Sequence, residues 1–185
     1  MPPSTAPHHH HAVQFYTDDQ SLLRTVGGFL AEGFGLAEPA LVIATPAHRE
    51  AIVHALESRS IDVAEARRLG DLVLLDADEM LSTFMINDVP DTVLFKEQIR
   101  GQLLQMIRGR ERVSIRAYGE MVDVLWKQGL PDSAIRLEVL WNDLATTHAF
   151  SLLCGYAMGN FYKEAGRFAE VCRHHTHVVC DNVTA

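Results

Sequence analysis

Hydrophobic positions along this chain fall into short unbroken apolar runs and into longer stretches of helical spacing. Val13-Gln14-Phe15-Tyr16 is rich in β-branched and aromatic residues and predicts a short strand. Thr17 is expected to cap the following helix, with Gln20 as its capping-box partner. Leu22, Leu23, Val26, Phe29 and Leu30 give that helix one apolar face, and Gly33 and Gly35 end it. Ala40-Leu41-Val42-Ile43-Ala44 is continuously apolar, as a strand covered on both faces should be. Thr45 then caps a helix with Pro46 in its first position, and Ile52, Val53 and Leu56 supply its buried side. A third strand, Leu72 to Asp76, leads into a helix from Asp78 to about Met85.

After a break at Asn87 to Pro90, Asp91 opens a long helix through about Arg108, with Phe95, Ile99, Leu103 and Met106 in line. Strand four is expected over Val113 to Tyr118, followed by a helix carrying Met121, Val122, Leu125 and Trp126. A helix after Pro131 presents Ala134, Leu137, Trp141 and Leu144 on one side. Phe150 to Cys154 is strand five, and a last helix from about Lys163 to His174 precedes an edge strand near Val178. Strands alternating with helices, and no hairpin dipeptide between them, predict an α/β domain. Its central sheet is mostly parallel, of at least five strands, with helices on both faces. Ligands of such sheets sit beyond the carboxyl ends of the strands. That directs attention to Tyr16-Thr17, Thr45, Asp76, Tyr118-Gly119-Glu120 and Gly155-Tyr156.

Composition narrows the function classes. The chain has 185 residues, 48% of them hydrophobic and 22% charged, which suits one globular domain. Residues 1–10 read as a disordered lead-in, 11–180 as the domain and 181–185 as a tail. Its net charge is -8 and its basic residues form no run beyond clusters such as Arg108-Gly109-Arg110-Glu111-Arg112, so nucleic acid is not expected as a partner. No apolar run reaches the roughly 18 residues of a membrane span, and the start of the chain lacks signal-peptide order. Three cysteines cannot all pair within one chain, which fits a reducing, cytoplasmic compartment.

The strand ends argue against ordinary nucleotide chemistry. No G-x-x-x-x-G-K-[ST] occurs, and the first turn reads Tyr16-Thr17-Asp18-Asp19-Gln20. Two carboxylates there satisfy the helix dipole themselves and repel a phosphate. A capped helix start accounts for them. Arg116, on the polar side of strand four, requires a carboxylate or carbonyl partners, and Glu120 and Glu138 are candidates. His148, His174, His175 and His177 with Cys154, Cys172 and Cys180 invite a metal reading, as do the histidines His8 to His11. Only Cys172 and His175 share a helix face, no ligand spacing of a known set is present, and neither metal nor cofactor is expected. No G-x-S-x-G elbow or other nucleophile signature points to an enzyme.

The chain resembles the MEDS family, the methanogen/methylotroph DcmR-type sensory domain, from His11 to about Val179. The segments that carry the resemblance are His11-Ala12-Val13-Gln14-Phe15-Tyr16 and Leu41-Val42-Ile43-Ala44-Thr45 with His48-Arg49. They continue through Gly70 to Asp76, Arg116-Ala117-Tyr118-Gly119-Glu120-Met121 and Leu137-Glu138-Val139-Leu140-Trp141-Asn142. Leu152-Leu153-Cys154-Gly155-Tyr156 and Cys172-Arg173-His174-His175-Thr176-His177 close the match. One departure is Ala157, where the family usually has a proline after the tyrosine.

The resemblance implies a RecA/KaiC-like core without its nucleotide loop, used as a sensory or signalling module. Such domains occur alone or joined to histidine-kinase-type ATPases, anti-sigma regulators, PAS domains or DNA-binding segments. With none attached here, output is expected to pass to a separate partner such as a histidine kinase or transcription regulator. The leading expectation is a non-enzymatic domain that binds a small molecule through His11, Tyr16, Thr45, Arg116, Tyr118, Glu120 and Tyr156. The alternatives are a ligand-free docking module for a histidine kinase or anti-sigma-type partner, and a degenerate nucleotide binder using Thr45 and the first turn. Self-association is open to any of these, since a lone module can signal between copies.

Overall fold

The computed structural model describes residues 10–110, 113–162 and 165–180. His8 and His9, Glu111 and Arg112 of the basic cluster, Lys163 at the expected start of the last helix, and the tail 181–185 lie outside the described residues. Six strands form one all-parallel sheet: β1 (His10–Tyr16), β2 (Ala40–Ala44), β3 (Leu72–Asp76), β6 (Ile115–Gly119), β7 (Phe150–Ala157) and β8 (His177–Cys180). Their spatial order is β3-β2-β6-β7-β1-β8. The expected α/β class holds, and the edge strand near Val178 is the sixth member.

Side-chain parity divides the sheet into two packed faces. On one face Val13, Phe15, Leu41, Ile43, Ile115, Ala117, Leu152, Cys154 and Tyr156 pack on four helices. These are α5 (Thr92–Met106), α6 (Met121–Lys127), α7 (Pro131–Ala145) and α8 (Ala165–Arg173), with the short α4 (Ala77–Ser82) beside them. On the other face Ala12, Tyr16, Ala40, Val42, Ala44, Leu72, Tyr118 and Leu153 pack on α1 (Asp19–Gly35), α2 (Pro46–Glu57) and α3 (Val63–Leu69). Both faces are therefore dry, which is why β2 reads as five apolar residues in a row.

The chain leaves β1 and β2 over one face and β3, β6 and β7 over the other. Neighbouring strands whose connections depart to opposite faces open a crevice at their carboxyl ends. The order of strands puts three such places in this sheet, at β3/β2, β2/β6 and β7/β1. The β2/β6 and β7/β1 crevices hold the buried carboxylates Glu120 and Asp123.

Several local expectations change. Asp18, not Thr17, caps α1: its carboxylate accepts from Ser21 N–H at 2.8 Å, because β1 runs on through Tyr16 and delays the helix. Asp76 caps α4, accepting from Asp78 and Glu79 N–H, and that helix ends at Ser82 rather than Met85. The break at Asn87 to Pro90 is a small hairpin, β4 (Met85–Ile86) with β5 (Val89–Pro90). Asn87 and Asp88 form its turn at φ 49° and 63°, the left-handed pair of a type I′ hairpin, so the chain does contain a hairpin dipeptide. Helix α3 was not anticipated, since only Val63 and Ala66 of it are buried; Asp62 caps it and Gly70, at φ 76°, ends it.

Candidate functional site

The crevice between β2 and β6 is filled by a carboxylate. Glu120 follows β6 directly and is 2% exposed. Its Oε1 accepts from Thr45 N–H at 2.6 Å, the first free amide after β2. Its Oε2 accepts from Tyr118 Oη at 2.9 Å and lies 2.7 Å from His48 Nδ1, on the first turn of α2. The far nitrogen of His48, Nε2, lies 3.5 Å from Asp19 Oδ1, which is exposed on α1. A line of polar groups thus runs from buried Tyr118 through Glu120 and His48 to solvent.

Charge along this line is polarised. Burial pushes the Glu120 carboxyl up, but His48 and the Thr45 amide outweigh it and leave its pKa below the ordinary value. The Glu120 hydrogen bond raises His48 against the cost of its own burial. Burial, then the nearby Glu120 charge, hold Tyr118 well above the normal phenol range, so it stays a neutral donor.

The second crevice, β7/β1, carries Asp123. Its Oδ1 accepts from Asn160 Nδ2 at 2.6 Å and from Ala157 N–H at 2.9 Å, and its Oδ2 from Tyr16 Oη at 3.2 Å and Lys127 Nζ at 2.7 Å. A proline at 157, as in the family pattern, has no N–H to give; alanine supplies this bond. The Tyr16 ring meets His48 edge-on at 6.1 Å, joining the two crevices into one polar crest.

A separate cluster lies within the opposite helical layer. Glu138 on α7 is fully buried and meets His11 Nε2 at 3.2 Å, His175 Nε2 at 3.4 Å, the Cys154 thiol at 3.5 Å and Tyr156 Oη at 2.8 Å. His11 Nδ1 bonds Asn142 Oδ1 at 2.9 Å, and Asn142 Nδ2 donates to the His174 carbonyl, also at 2.9 Å. Burial raises the Glu138 pKa, but His175 and His11 reverse this and hold it far below the usual carboxylate range. Burial and then Glu138 push the Cys154 thiol and the Tyr156 phenol well up.

The residues singled out in the sequence therefore separate into three groups. Tyr16, Thr45, Tyr118 and Glu120 meet at the crest. His11 and Tyr156 meet at Glu138. Arg116 belongs to neither: it pairs with Glu38 at 2.6 Å and Glu32 at 3.0 Å and lies over the Phe29 ring at 5.0 Å. Its partner is thus not Glu120 or Glu138. Arg116 pairs across to Ala40 at the start of β2, so it lies at the amino end of the sheet. His48, Asp123, Glu138 and Asn142 were not among the singled-out site residues. The signal for His48 was its place three positions after Thr45 at the end of an apolar strand.

A cleft of about 580 Å³ opens elsewhere, between Lys96 and Arg100 of α5 and Thr147 and His148 before β7. Its position at the amino ends of strands sets it apart from the crest. We place the candidate site at the crest, where buried ionisable groups from several elements converge.

A fully parallel, doubly covered sheet with a polar crest and no phosphate-loop motif defines the class of this α/β domain. The chain belongs to the MEDS family, the MEthanogen/methylotroph, DcmR Sensory domain, whose model matches residues 10–176. Membership gives it a sensory or signalling role. No curated protein matches the chain. Among the described residues, no helix is long and apolar enough to cross a membrane.

Proposed function

We propose that this chain binds a small, weakly polar molecule at the crest and relays its occupancy to a partner protein, without turning the molecule over. The observation that carries this reading is the polar line Tyr118–Glu120–His48–Asp19, which begins fully buried and ends at solvent. Glu120 also grips the Thr45 amide, at the start of α2. A ligand that accepts from His48 or donates to Glu120 competes with these bonds, and so acts directly on where α2 sits. Tyr16 adds a ring edge and a hydroxyl at the same place. Relay then passes to a signalling protein in the cytoplasm, of the histidine-kinase or transcription-regulator kind.

The acidic first turn supports a non-nucleotide ligand, since Asp19 sets a carboxylate beside His48 at the N-terminus of α1, where it repels a phosphate. Thermal-shift screening of the full chain against small organic molecules and nucleotides tests the proposal. The expected outcome is stabilisation by an organic compound that His48→Ala and Tyr16→Phe abolish. Stabilisation by ATP that Glu120→Gln abolishes points instead to a degenerate nucleotide binder. If crest variants change no ligand response yet weaken binding to a kinase or regulator, the chain is a docking module.

A further inference from the structure

The Glu138 cluster holds four donor groups that the crest does not use. His11 Nε2, Glu138, Cys154 Sγ and His175 Nε2 each offer one atom, and all four atoms lie within 4.8 Å of one another. They come from β1, α7, β7 and the turn before β8, and the side chains of His11, Glu138 and His175 are fully buried.

Hydrogen bonding settles which ring nitrogens face inward. A carbonyl only accepts, so His175 Nδ1, 2.8 Å from the Val171 carbonyl, carries a proton there. The Asn142 amide gives its N–H to the His174 carbonyl and therefore turns its oxygen to His11 Nδ1, which donates. When neutral, each imidazole therefore turns an Nε2 lone pair toward Glu138, and that of His11 also toward the Cys154 thiol at 3.3 Å. His175 Nε2 is buried and has no hydrogen-bond partner in the described structure. Lone pairs facing a buried carboxylate repel it. One proton on His11 leaves His175 in that state, whereas protons on both rings leave a net buried positive charge.

A cation at the centre satisfies all four donors. A tetrahedral zinc ion at bond lengths of roughly 2.0–2.3 Å has donor–donor edges of roughly 3.3–3.7 Å. Contacts of this length are present: 3.2 Å for His11 Nε2–Glu138 Oε2, 3.3 Å for His11 Nε2–Cys154 Sγ and 3.5 Å for Cys154 Sγ–Glu138 Oε2. His175 Nε2 lies 3.4 Å from the other carboxylate oxygen, Oε1. The four donors close to these edges by small side-chain shifts from within 4.8 Å of one another. A dication with one thiolate and one carboxylate is electrically neutral, as a buried site requires. The Asn142 and Val171 bonds to the outer ring nitrogens fix the ring orientations, as such bonds do for metal-bound histidines. We infer that His11, Glu138, Cys154 and His175 form a closed, structural binding site for a zinc-class divalent ion. On binding, the Cys154 S–H proton leaves to solvent and sulfur and zinc form a bond. Four protein donors leave no open position, so the ion clamps the carboxyl-terminal strand to the first strand and to α7. This inference stands apart from ligand binding at the crest.

The test uses the full chain with His8, His9 and His10 replaced by alanine, which removes the histidines that precede His11 in the sequence. The protein is unfolded with a chelator, then refolded with zinc, with cobalt(II), or with neither, and its fold is checked by circular dichroism. The expected results are about one zinc per chain after dialysis, a lower melting temperature without metal, and a thiolate-to-cobalt absorption band. Cys154→Ser removes that band and Cys172→Ser keeps it. Should Cys154→Ser fail to fold, imidazole nitrogen NMR of the parent protein decides: zinc must shift His11 and His175 Nε2. The inference is overturned by a folded, zinc-treated chain holding less than about a tenth of an ion, by a band that Cys172→Ser rather than Cys154→Ser removes, or by His175 protonated on both nitrogens in the presence of zinc.

Discussion

Glu120 and Glu138 are both buried carboxylates ringed by hydroxyl, imidazole and other polar groups, yet their surroundings differ in one respect. Every partner of Glu138 lies inside the helical layer, its two imidazoles at 0% exposure. Glu120 has one partner, His48, that is 15% exposed and itself touches the exposed Asp19. A carboxylate closed on all sides can only hold the fold together. One with a path to solvent can report what happens there. The crest thus suits recognition, and the Glu138 cluster suits cohesion.

The sharpest way to break this contrast is to remove each carboxylate in turn and follow urea denaturation. Glu138→Ala strands two imidazoles and a phenol in the core and is expected to cost about 3–5 kcal/mol. Glu120→Ala, whose partners reach water more readily, is expected to cost about 1–3 kcal/mol. Equal losses would erase the distinction.

Gly155→Ala comes next in size. The close approach there is real: an added Cβ would lie 2.7 Å from Tyr118 Oη, and that ring is 1% exposed. Overpacking of this kind costs about 1–3 kcal/mol and should lift Tyr118 off Glu120, weakening any crest ligand as well. Unchanged ligand affinity in a folded Gly155→Ala protein would remove Tyr118 from the crest.

The pH dependence of stability separates the crest further. His48 has a raised folded pKa, so its contribution is complete below its unfolded value near 6.5 and fades as pH rises through the folded value. Glu120 has a lowered one, so its contribution is complete above 4.5 and fades as pH falls through the folded value. The pair therefore stabilises most fully between these two ordinary values. In His48→Gln the decline on the alkaline side should shrink to the share of His175, whose folded pKa is also raised, as measured by urea midpoints across pH. A wild-type and variant pair with parallel curves would contradict the His48–Glu120 pairing.

Arg116→Met should have the smallest effect. Its ion pairs with Glu32 and Glu38 lie toward the surface, and about 1 kcal/mol is expected. Ligand response at the crest should not change. A lost response would return Arg116 to the site from which its position at the amino end of β6 separates it.

Much of the fold was legible because both sheet faces are covered. Unbroken apolar runs marked β2 and β3 to the residue, and Phe95, Ile99, Leu103 and Met106 marked the buried stripe of α5. Asn87-Asp88 escaped notice as a hairpin because its strands are only two residues long. Helix α3 escaped because its exposed face is charged and its buried one small. The carboxyl-end rule pointed to Tyr16, Thr45, Tyr118 and Glu120, which do lie together at the crest. Strand parity already implied that His11 and Tyr16, an odd number of residues apart in β1, face opposite sides.

The order of apolar and polar residues, acting alone, determines a parallel sheet with helices on both faces, an acidic first turn and a crest at the strand ends. These depend on local spacing and on the two short periods of strand and helix. Which ionisable groups meet was decided only by the tertiary structure. Arg116 turned to Glu32 and Glu38, and His11, Glu138, Cys154 and His175 converged from four elements. Strand order and helix placement bring such residues together across long stretches of chain, and no spacing along the sequence encodes that meeting.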